Sequence, residues 1–393
     1  MDNDALKLHS KLKGKLSINS KIKIKTMKDL SLAYTPGVAA PCMEIALHPE
    51  KVYEYTMKGN TVAIITDGSA VLGLGDIGAE ASLPVMEGKA LLMKEFAGID
   101  SFPIALKLRD VNAIVSAVKS ISPVFGAINL EDISAPRCFE IGEQLENLGI
   151  PVMHDDQHGT ATVLLAALIN SLKVVGKEIE EVKVVISGSG AAGIAVARLL
   201  LCMGYDHNVC RRAKEIILVD SEGIIYEGRP GLNRYKQEMA LFTNREKKRG
   251  SLKDALAGAD VFIGVSKGNI LDKSAIKSMA PKAIVFPMAN PVPEIMPQDA
   301  VDAGAAIVGT GRSDFPNQVN NVLAFPGIFR GALDSKATKI TPSMRIAAAH
   351  ALASCVKKPS ANNILPGALD KSIVPKIAKA VAAMAVKEGV VRK

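Results

Sequence analysis

The chain has 393 residues, of which 48% are apolar and 22% are charged, and its formal net charge is +8. These values are ordinary for a soluble globular protein with two domains that each have a sizeable core. No run of 18 apolar residues is present, so we expect no membrane span. The five scattered cysteines form no CxxC pair, which predicts reduced thiols in a cytoplasmic protein and argues against a zinc site.

Much of the positive charge lies near the amino end, where residues 7–28 carry eight lysines and no acid. This segment contains no arginine, which is untypical of a transit peptide. It also contains no aromatic residue to interleave with the basic ones, so we expect no nucleic-acid partner. We interpret it as a solvated arm or a first helix.

Residues 32–39 predict a turn into a helix that Pro41 begins. Tyr34 stands beside the Thr-Pro-Gly turn. Its phenol could face a cleft from this rigid loop, but the spacing alone favours a side chain that packs.

A strand over 61–66 leads into a glycine-rich loop, 67–78, which contains one match to the spacing GxGxxG. A dinucleotide site needs a helix that begins at the third glycine, and here the helical pattern starts later, near Pro84. We therefore interpret 67–78 as a loop that approaches the active site closely.

The helix over 84–96 carries Lys89 among apolar residues. Partial burial would favour the neutral form of the amine, which a general base requires. The alternative is a lysine whose stem packs while its ammonium reaches solvent. A strand over 102–107 and a helix over 111–120 continue the β/α alternation.

Two short apolar strands, 125–130 and 150–153, flank a helix over 135–148 that ends at Gly149. A strand–helix–strand unit with a right-handed crossover places both strand ends at one edge of the sheet.

An acidic pair follows each of these strands: Glu131 with Asp132, and Asp155 with Asp156. Carboxylates that converge in a cleft repel one another unless a cation neutralises them, and hard oxygen ligands suit Mg²⁺ or Mn²⁺. The alternative is that these are solvated strand-end acids that cap the next helices.

An apolar helix over 159–174 is expected in the core, as the bridge between domains. The strand over 182–186 then runs directly into a second GxGxxG match and the helix over 194–203, which is the arrangement that holds a pyrophosphate at a helix N-terminus. The predicted cofactor-binding residues of this turn are Gly188, Ser189, Gly190, Ala191, Ala192 and Gly193.

The next strand, 215–219, ends at Asp220, where an acid that binds the ribose is expected. The connection 207–214 places this aspartate further along the chain from the glycine-rich turn than is usual for such a site. An aspartate there favours NAD over NADP, although Arg211 and Arg212 could meet a 2′-phosphate.

Three further strands, 260–264, 283–288 and 305–308, fit a doubly wound sheet, with ligand-binding loops after their carboxyl ends. Asn290 lies in one such loop before a proline, where its amide could contact substrate or the nicotinamide ribose. Helices over 344–356 and 373–387 are expected to cover the sheet or to return to the first domain.

The predicted fold class is α/β with two domains. Residues 1–155 form a substrate and metal domain with the plan of the amino-acid dehydrogenases, and residues 156–393 form a Rossmann domain with a doubly wound parallel sheet and carboxyl-terminal helices.

The sequence from residue 30 to about 332 resembles the malic enzymes, in their short prokaryotic form. Eight collinear motifs carry the resemblance: LAYTPGVAA (32–40), DGSAVLGLGDIG (67–78), PVMEGK (84–89), INLEDI (128–133), HDDQHGT (154–160), GSGAAG (188–193), ANPVPE (289–294) and QVNNVLAFPG (318–327). The resemblance implies NAD(P)-dependent and Mg²⁺- or Mn²⁺-dependent oxidation of L-malate with decarboxylation to pyruvate, and decarboxylation of oxaloacetate. It also implies a homodimer and no acyltransferase-like extension after residue 393.

The resemblance also implies roles for individual residues. In this comparison Glu131, Asp132 and Asp156 match the metal ligands, Lys89 the general base, Tyr34 the general acid, and Asn290 and Asn321, with the neighbouring Asn320, the residues that contact substrate or nicotinamide. Asp155 is expected to orient the cluster.

One position departs from the larger relatives, which carry a substrate-binding arginine where this chain has Ala70. Substrate anchoring would then fall to Asn290 and Asn321, or to Arg312.

Two alternative functions stay open: a malolactic conversion of malate to lactate with retained NAD, and a nucleotide-binding relative that has lost the chemistry.

Overall fold

The computed structural model describes residues 2–71, 73–204 and 210–392, arranged around two separate parallel sheets. The strands are β1 (Thr61–Thr66), β2 (Asp100–Ala105), β3 (Ala127–Leu130), β4 (Val152–His154), β5 (Lys183–Ser187), β6 (Glu215–Asp220), β7 (Gly223–Ile224), β8 (Val261–Gly264), β9 (Ile284–Pro287) and β10 (Ile307–Val308). The helices are α1 (Asp2–Leu12), α2 (Met27–Ala33), α3 (Ala39–Leu47), α4 (Val52–Tyr55), α5 (Gly78–Ala97), α6 (Val111–Ile121), α7 (Arg137–Leu145), α8 (Thr160–Val175), α9 (Ala191–Leu200), α10 (Arg234–Phe242), α11 (Leu252–Leu256), α12 (Lys273–Lys277), α13 (Pro297–Asp302), α14 (Phe325–Asp334), α15 (Pro342–Ala353) and α16 (Ile373–Lys387).

The first sheet has the strand order β2-β1-β3-β4, and all its pairs are parallel. Every residue of β1 and β3 is buried, as expected for parallel strands that are covered on both faces. In the register of β3 and β4, Leu130 lies opposite His154. The two acidic pairs therefore leave neighbouring strands at the same sheet edge, which confirms the prediction.

The second sheet has the order β10-β9-β8-β5-β6-β7, parallel except for the short antiparallel edge strand β7. The chain moves outward from β5 on one side to β6 and on the other side to β8. The carboxyl end of β5 is therefore the switch point, where such sheets bind their ligands. This confirms the predicted doubly wound sheet.

Helix α8 joins the two halves. Asn170, which is fully buried on α8, donates hydrogen bonds of 2.9 Å to the carbonyls of Ala353 and Ile364 in the carboxyl-terminal segment. The helical stretch from 155 to 175 is long and apolar enough to cross a membrane by composition, but 67% of it is buried inside the molecule, which is what a core helix requires.

Helix α14 and the end of the chain contact the first domain, whereas the two helices predicted over 344–356 and 373–387 pack on α8, on α14 and on each other. Arg330 on α14 donates to Asn60 Oδ1 over 2.7 Å, and the Arg392 guanidinium stacks 3.9 Å from the centre of the Tyr53 ring.

The predicted domain boundary after residue 155 lies on the turn between β4 and α8, and its placement stays a prediction.

Several predicted helix starts are wrong, among them that of α9, which begins at Ala191 instead of Ile194. Helix α5 begins at Gly78 instead of near Pro84, and α3 begins at Ala39 instead of Pro41. The first turn of α5 consists of small and polar residues, so apolar periodicity did not mark it. Leu72, within the preceding loop motif, lies outside the described residues.

The expectation of five reduced thiols is also wrong, because the sulfurs of Cys202 and Cys210 form a disulfide. The chain turns back after α9 and brings the two Cα atoms to 5.7 Å. Cys42, Cys138 and Cys355 are free thiols. Residues 205–209, part of the connection before Asp220, lie outside the described residues, and the cytoplasmic location stays a prediction.

The amino-terminal segment packs little against the rest of the chain. No described residue before Lys58 is buried. Large apolar side chains are exposed along the whole segment, for example Leu32 (68%), Met43 (62%) and Leu47 (69%). Such a continuous apolar exposure is typical of a surface that another molecule covers.

Candidate active site

A cluster of carboxylates stands at the edge where β3 and β4 end. Glu131, Asp132 and Asp156 each offer an oxygen, and these atoms lie within 4.8 Å of one another. Glu131 and Asp132 are only 2% exposed. Buried carboxylates this close need a compensating positive charge, and an all-oxygen donor set fits a hard divalent cation.

Backbone geometry shapes this cluster. Asp132 adopts φ +53°, in the left-handed region that aspartate tolerates better than most residues. Its backbone N–H donates to Asp156 Oδ2 over 2.8 Å. Asp156 itself lies on one π-helical turn, Asp155–Gly159, that leads into α8. Turns of this kind are rare and occur often at functional sites.

Lys89 reaches the cluster from α5. Its Nζ lies 3.0 Å from Glu131 Oε1, contacts Asp155 Oδ2, and sits 4.6 Å from the centre of the Phe325 ring. The side chain is only 12% exposed. The alternative of an ammonium that reaches solvent is therefore excluded.

The charge state predicted for Lys89 is wrong for the protein alone. Burial acts to lower the pKa of Lys89, but the charges of Asp155 and Glu131 outweigh it and hold the pKa above its ordinary value. Burial in turn raises the pKa of both carboxyls, and the Lys89 charge opposes that rise. The sequence indicated the burial of the amine and missed the carboxylates that face it.

Asp155 links the two domains. The same oxygen, Oδ2, that contacts Lys89 also accepts a hydrogen bond of 2.6 Å from Asn321 Nδ2. Asp155 is fully buried. A side chain at Gly159 would collide with Asp155 Oδ1, which explains a glycine at this position. Asp155 therefore orients Lys89 and Asn321, and its expected role in orienting the carboxylate cluster stays a prediction.

A cavity of about 530 Å³ opens in front of the cluster, between the two domains. Its described lining includes the predicted residues Asp132, Asp156, Gly190, Ala191, Ala192, Asn290, Asn320 and Asn321, and also Ala70 and Gly73. The glycine-rich loop therefore does approach the site, as predicted. A Cβ added at Gly73 would lie 2.9 Å from the Asn290 carbonyl oxygen, so the loop and the second domain are in close contact here.

Several of the predicted residues do not line this cavity. Lys89 and Glu131 contact each other beside it but are not part of its described lining. Arg312 is bonded to Asp314 through Nε (2.9 Å) and Nη2 (2.7 Å). Tyr34 follows α2 and is 66% exposed, so the packed side chain favoured by the spacing is not found within this chain.

The GxGxxG turn after β5 has the geometry of a phosphate cradle. Gly188 has φ +107°, and a Cβ there would lie 2.5 Å from the Val265 carbonyl oxygen. A side chain at Gly193 would collide with the Gly188 carbonyl. Gly190 faces open space at the N-terminus of α9, where free N–H groups attract phosphate. The residues present fit a dinucleotide.

Asp220 ends β6 and lines an adjoining cavity of about 730 Å³ together with Gly188 and Ser189. Its Oδ2 accepts from Arg229 (2.5 Å) and Lys236 (2.7 Å). Burial acts to raise the pKa of Asp220, but these two bonds outweigh it and hold the pKa below its ordinary value.

The sequence named the wrong basic residue as a neighbour of Asp220. Arg211 is 74% exposed and lies 3.4 Å from Glu180. The cations that flank Asp220 are Arg229 and Lys236, which no local pattern connects to β6.

Asn129 is a site residue that the sequence analysis missed and could have found. It donates to Glu131 Oε2 over 2.8 Å, and residues two apart on a strand share a face.

Fold and site together define a two-domain α/β protein that binds a dinucleotide and presents a carboxylate cluster suited to a divalent cation. Family models for the malic enzyme N-terminal domain and the malic enzyme NAD-binding domain match residues 13–146 and 157–388. The chain belongs to the malic enzyme family.

Individual relatives agree over nearly the whole chain. It is 57% identical to a bifunctional malic/malolactic enzyme of Bacillus subtilis, over 99% of this chain and 94% of that protein. It is 54% identical to an NAD-dependent malic enzyme of Geobacillus stearothermophilus, over 97% of this chain and 78% of that protein. The crystal structure of an NAD-dependent malic enzyme from Thermotoga maritima superposes with a TM-score of 0.92 at 50% identity, covering 96% of this chain and 99% of that one.

Replacement of Lys89 by methionine should make stability strongly pH-dependent in the presence of a chelator. The pKa values of Glu131 and Asp155 are raised in the folded protein, so the protonated carboxyls favour the folded state. This contribution to stability is fully present below the unfolded pKa values and is lost as pH rises through the folded ones. Without the ammonium, we expect the free energy of unfolding to fall by about 3–5 kcal/mol at pH 8 and by much less at pH 5. Urea denaturation at both pH values measures this.

Lys94→Met is the matched control on the same helix, because its ion pair with Asp100 is half exposed (52%). It should cost less than about 1 kcal/mol at either pH. An equal loss for Lys89→Met at pH 5 and pH 8 would contradict the electrostatic explanation.

Proposed function

We propose that this protein oxidises L-malate with a nicotinamide nucleotide and decarboxylates the product to pyruvate and CO₂, and that it also decarboxylates oxaloacetate. One observation carries the proposal: a carboxylate cluster, which a buried amine contacts, lines the same cavity between two domains as the dinucleotide cradle. Membership of the malic enzyme family and the activities named for its relatives support the same reaction.

We propose Glu131, Asp132 and Asp156 as ligands of Mg²⁺ or Mn²⁺. When bound, such a cation supplies Lewis-acid polarisation at the C2 oxygen of the substrate and neutralises carboxylates that otherwise hold Lys89 protonated. Lys89 takes the proton of the C2 hydroxyl at Nζ, and Asp155 holds that nitrogen in place.

Polar side chains of the second domain complete the substrate site. The amides of Asn290, Asn320 and Asn321 line the cavity and can donate to carboxylate oxygens. Asn321 is fixed by its bond to Asp155, so it presents its remaining polar atoms in one orientation. With Ala70 in place of an arginine, these amides are our proposed substrate anchors.

Turnover is tested by reduced-nicotinamide absorbance with L-malate and Mn²⁺, followed by assays of pyruvate and lactate. We expect reduced nicotinamide and pyruvate in equal amounts. Lys89→Ala should lower kcat by about 10²–10⁴-fold, because it removes the proton acceptor. The control Lys94→Ala should keep wild-type turnover.

Full turnover by Lys89→Ala would remove Lys89 from its proposed role. Lactate without net reduction of the cofactor would instead indicate the malolactic conversion. That second candidate has a specific basis, because the Bacillus subtilis relative is named as both a malic and a malolactic enzyme. A protein that binds nucleotide and forms neither product would be the non-catalytic relative.

We infer NAD as the preferred nucleotide, because Asp220 stands where the ribose hydroxyls of a bound dinucleotide lie and its charge disfavours a 2′-phosphate. Asp220→Ser would free Arg229 and Lys236 to meet that phosphate. The ratio of kcat/KM for NADP⁺ to that for NAD⁺ should then rise at least about tenfold, the equivalent of 1.4 kcal/mol.

Steady-state kinetics with both nucleotides measures this ratio. Asp299→Ser is the control, since Asp299 pairs with Lys273 on the surface of α13 over 3.1 Å. An unchanged ratio in Asp220→Ser would show that Asp220 does not select the nucleotide.

We further propose that the active form is a homodimer in which the amino-terminal segment of one copy packs on the other. The unburied segment before Lys58 and its exposed apolar side chains support this. Tyr34 lies on that segment, away from the cavity of its own chain. As the general acid that protonates the product at C3, it would therefore act in the active site of the partner copy.

Mixing two inactive variants tests this arrangement. If Tyr34 acts across the dimer, a Tyr34→Phe copy paired with a Lys89→Ala copy has one site with both residues intact and one with neither. Random reassociation of equal amounts should then restore about one quarter of wild-type activity, since half the dimers are mixed and each has one working site. If Tyr34 acts within its own chain, mixing should restore nothing.

A further inference from the structure

A second cavity, of about 160 Å³, adjoins the π-helical turn that carries Asp156. Asp156 itself lines the active-site cavity, whereas the next two residues, Gln157 and His158, line this one. Arg198 of α9 and Arg345 of α15 complete its polar walls.

The charge of this cavity is unbalanced. Its described lining includes two arginines and no carboxylate. Arg198 pairs through Nη2 with Glu238 (2.5 Å), but its Nε is buried without a hydrogen-bond partner. The Nε of Arg345 is likewise buried without a partner, and no carboxylate among the described residues pairs with this guanidinium.

Buried donors of this kind are costly. An unpaired polar group in the interior is destabilising, more so when it is charged, and native proteins normally satisfy such groups. Two guanidiniums that face one space also repel each other. A bound anion removes both costs, and the planar guanidinium fork matches the oxygens of a carboxylate or phosphate.

The remaining polar walls add a neutral donor. His158 Nδ1 accepts the backbone N–H of His154 over 3.4 Å, which leaves the proton of a neutral ring on Nε2. Gln157 offers an amide. The site therefore presents donors from three elements: the turn, α9 and α15.

We propose that this cavity binds a small oxyanion, a carboxylate or phosphate group, between Arg345 and Arg198. Its volume holds several waters or one such group, but not a nucleotide. A neighbouring cavity of about 180 Å³ shares the four polar residues named above, but Glu143 and Glu146 also line it and would repel an anion. We therefore place the anion in the first cavity, whose described lining has no carboxylate.

Such an anion would bind one face of the turn 155–159, while Asp155 and Asp156 lie on the other face. The proposal concerns binding alone and does not depend on the reaction proposed above. It can therefore be tested on metal-free protein without substrate.

The experiment is amide hydrogen exchange of metal-free, chelator-treated protein, with and without inorganic phosphate and, in a second series, acetate. We expect one of these anions to slow exchange over residues 157–162, on the turn and the start of α8. Arg345→Met should weaken this protection at least tenfold in anion concentration. Arg345→Lys, which keeps the charge and guards against a folding defect, should retain part of it.

Arg245→Met is the matched control, because it removes the same charge from an exposed position elsewhere in the second domain. It should leave the protection unchanged. Phosphate bound at the glycine-rich turn after β5 would protect residues near 190 and would be indifferent to Arg345. Absence of protection over 157–162 with both anions, or equal protection in wild type and Arg345→Met, would overturn the proposal.

Discussion

The buried charge cluster around Lys89 is the interaction on which the rest of the site depends. Its ammonium and the carboxylates of Glu131 and Asp155 are withdrawn from water, so each is stable only while the others are in place. Lys89 comes from a helix, Glu131 from a strand end and Asp155 from the turn before α8. Asn321 of the second domain then donates a hydrogen bond to Asp155, so the second domain completes the bonding of the cluster.

The turn Asp155–Gly159 gives the cluster its direction. An α-helical turn would distribute its four side chains differently, whereas the wider π-helical turn places Asp155 inside, Asp156 toward the active-site cavity and His158 toward the second cavity. A glycine is needed at position 159 because a side chain there would collide with Asp155 Oδ1. Because the turn continues into the buried helix α8, any ligand that fixes one of its faces acts on a rigid element.

The nucleotide half of the site follows the general logic of doubly wound sheets. The close approach of Gly188 and Gly193 brings β5 and α9 together and leaves Gly190 open to a phosphate. At the far end of that cleft, Asp220 accepts hydrogen bonds from Arg229 and Lys236. On our proposal, selectivity between NAD and NADP depends on the balance of this acid and these two cations.

Local patterns in the sequence determined the sheet types, the glycine-rich turn after β5 and the meeting of Glu131, Asp132 and Asp156, because parallel strands end at one edge whatever surrounds them. Only the tertiary structure decided the charge of Lys89, the exposure of Tyr34, the pairing of Cys202 with Cys210 and the cations beside Asp220. Each of these depends on which groups packing brings within a few ångströms. Lys89 and Asp155 are 66 positions apart, and no periodicity in the chain records that contact.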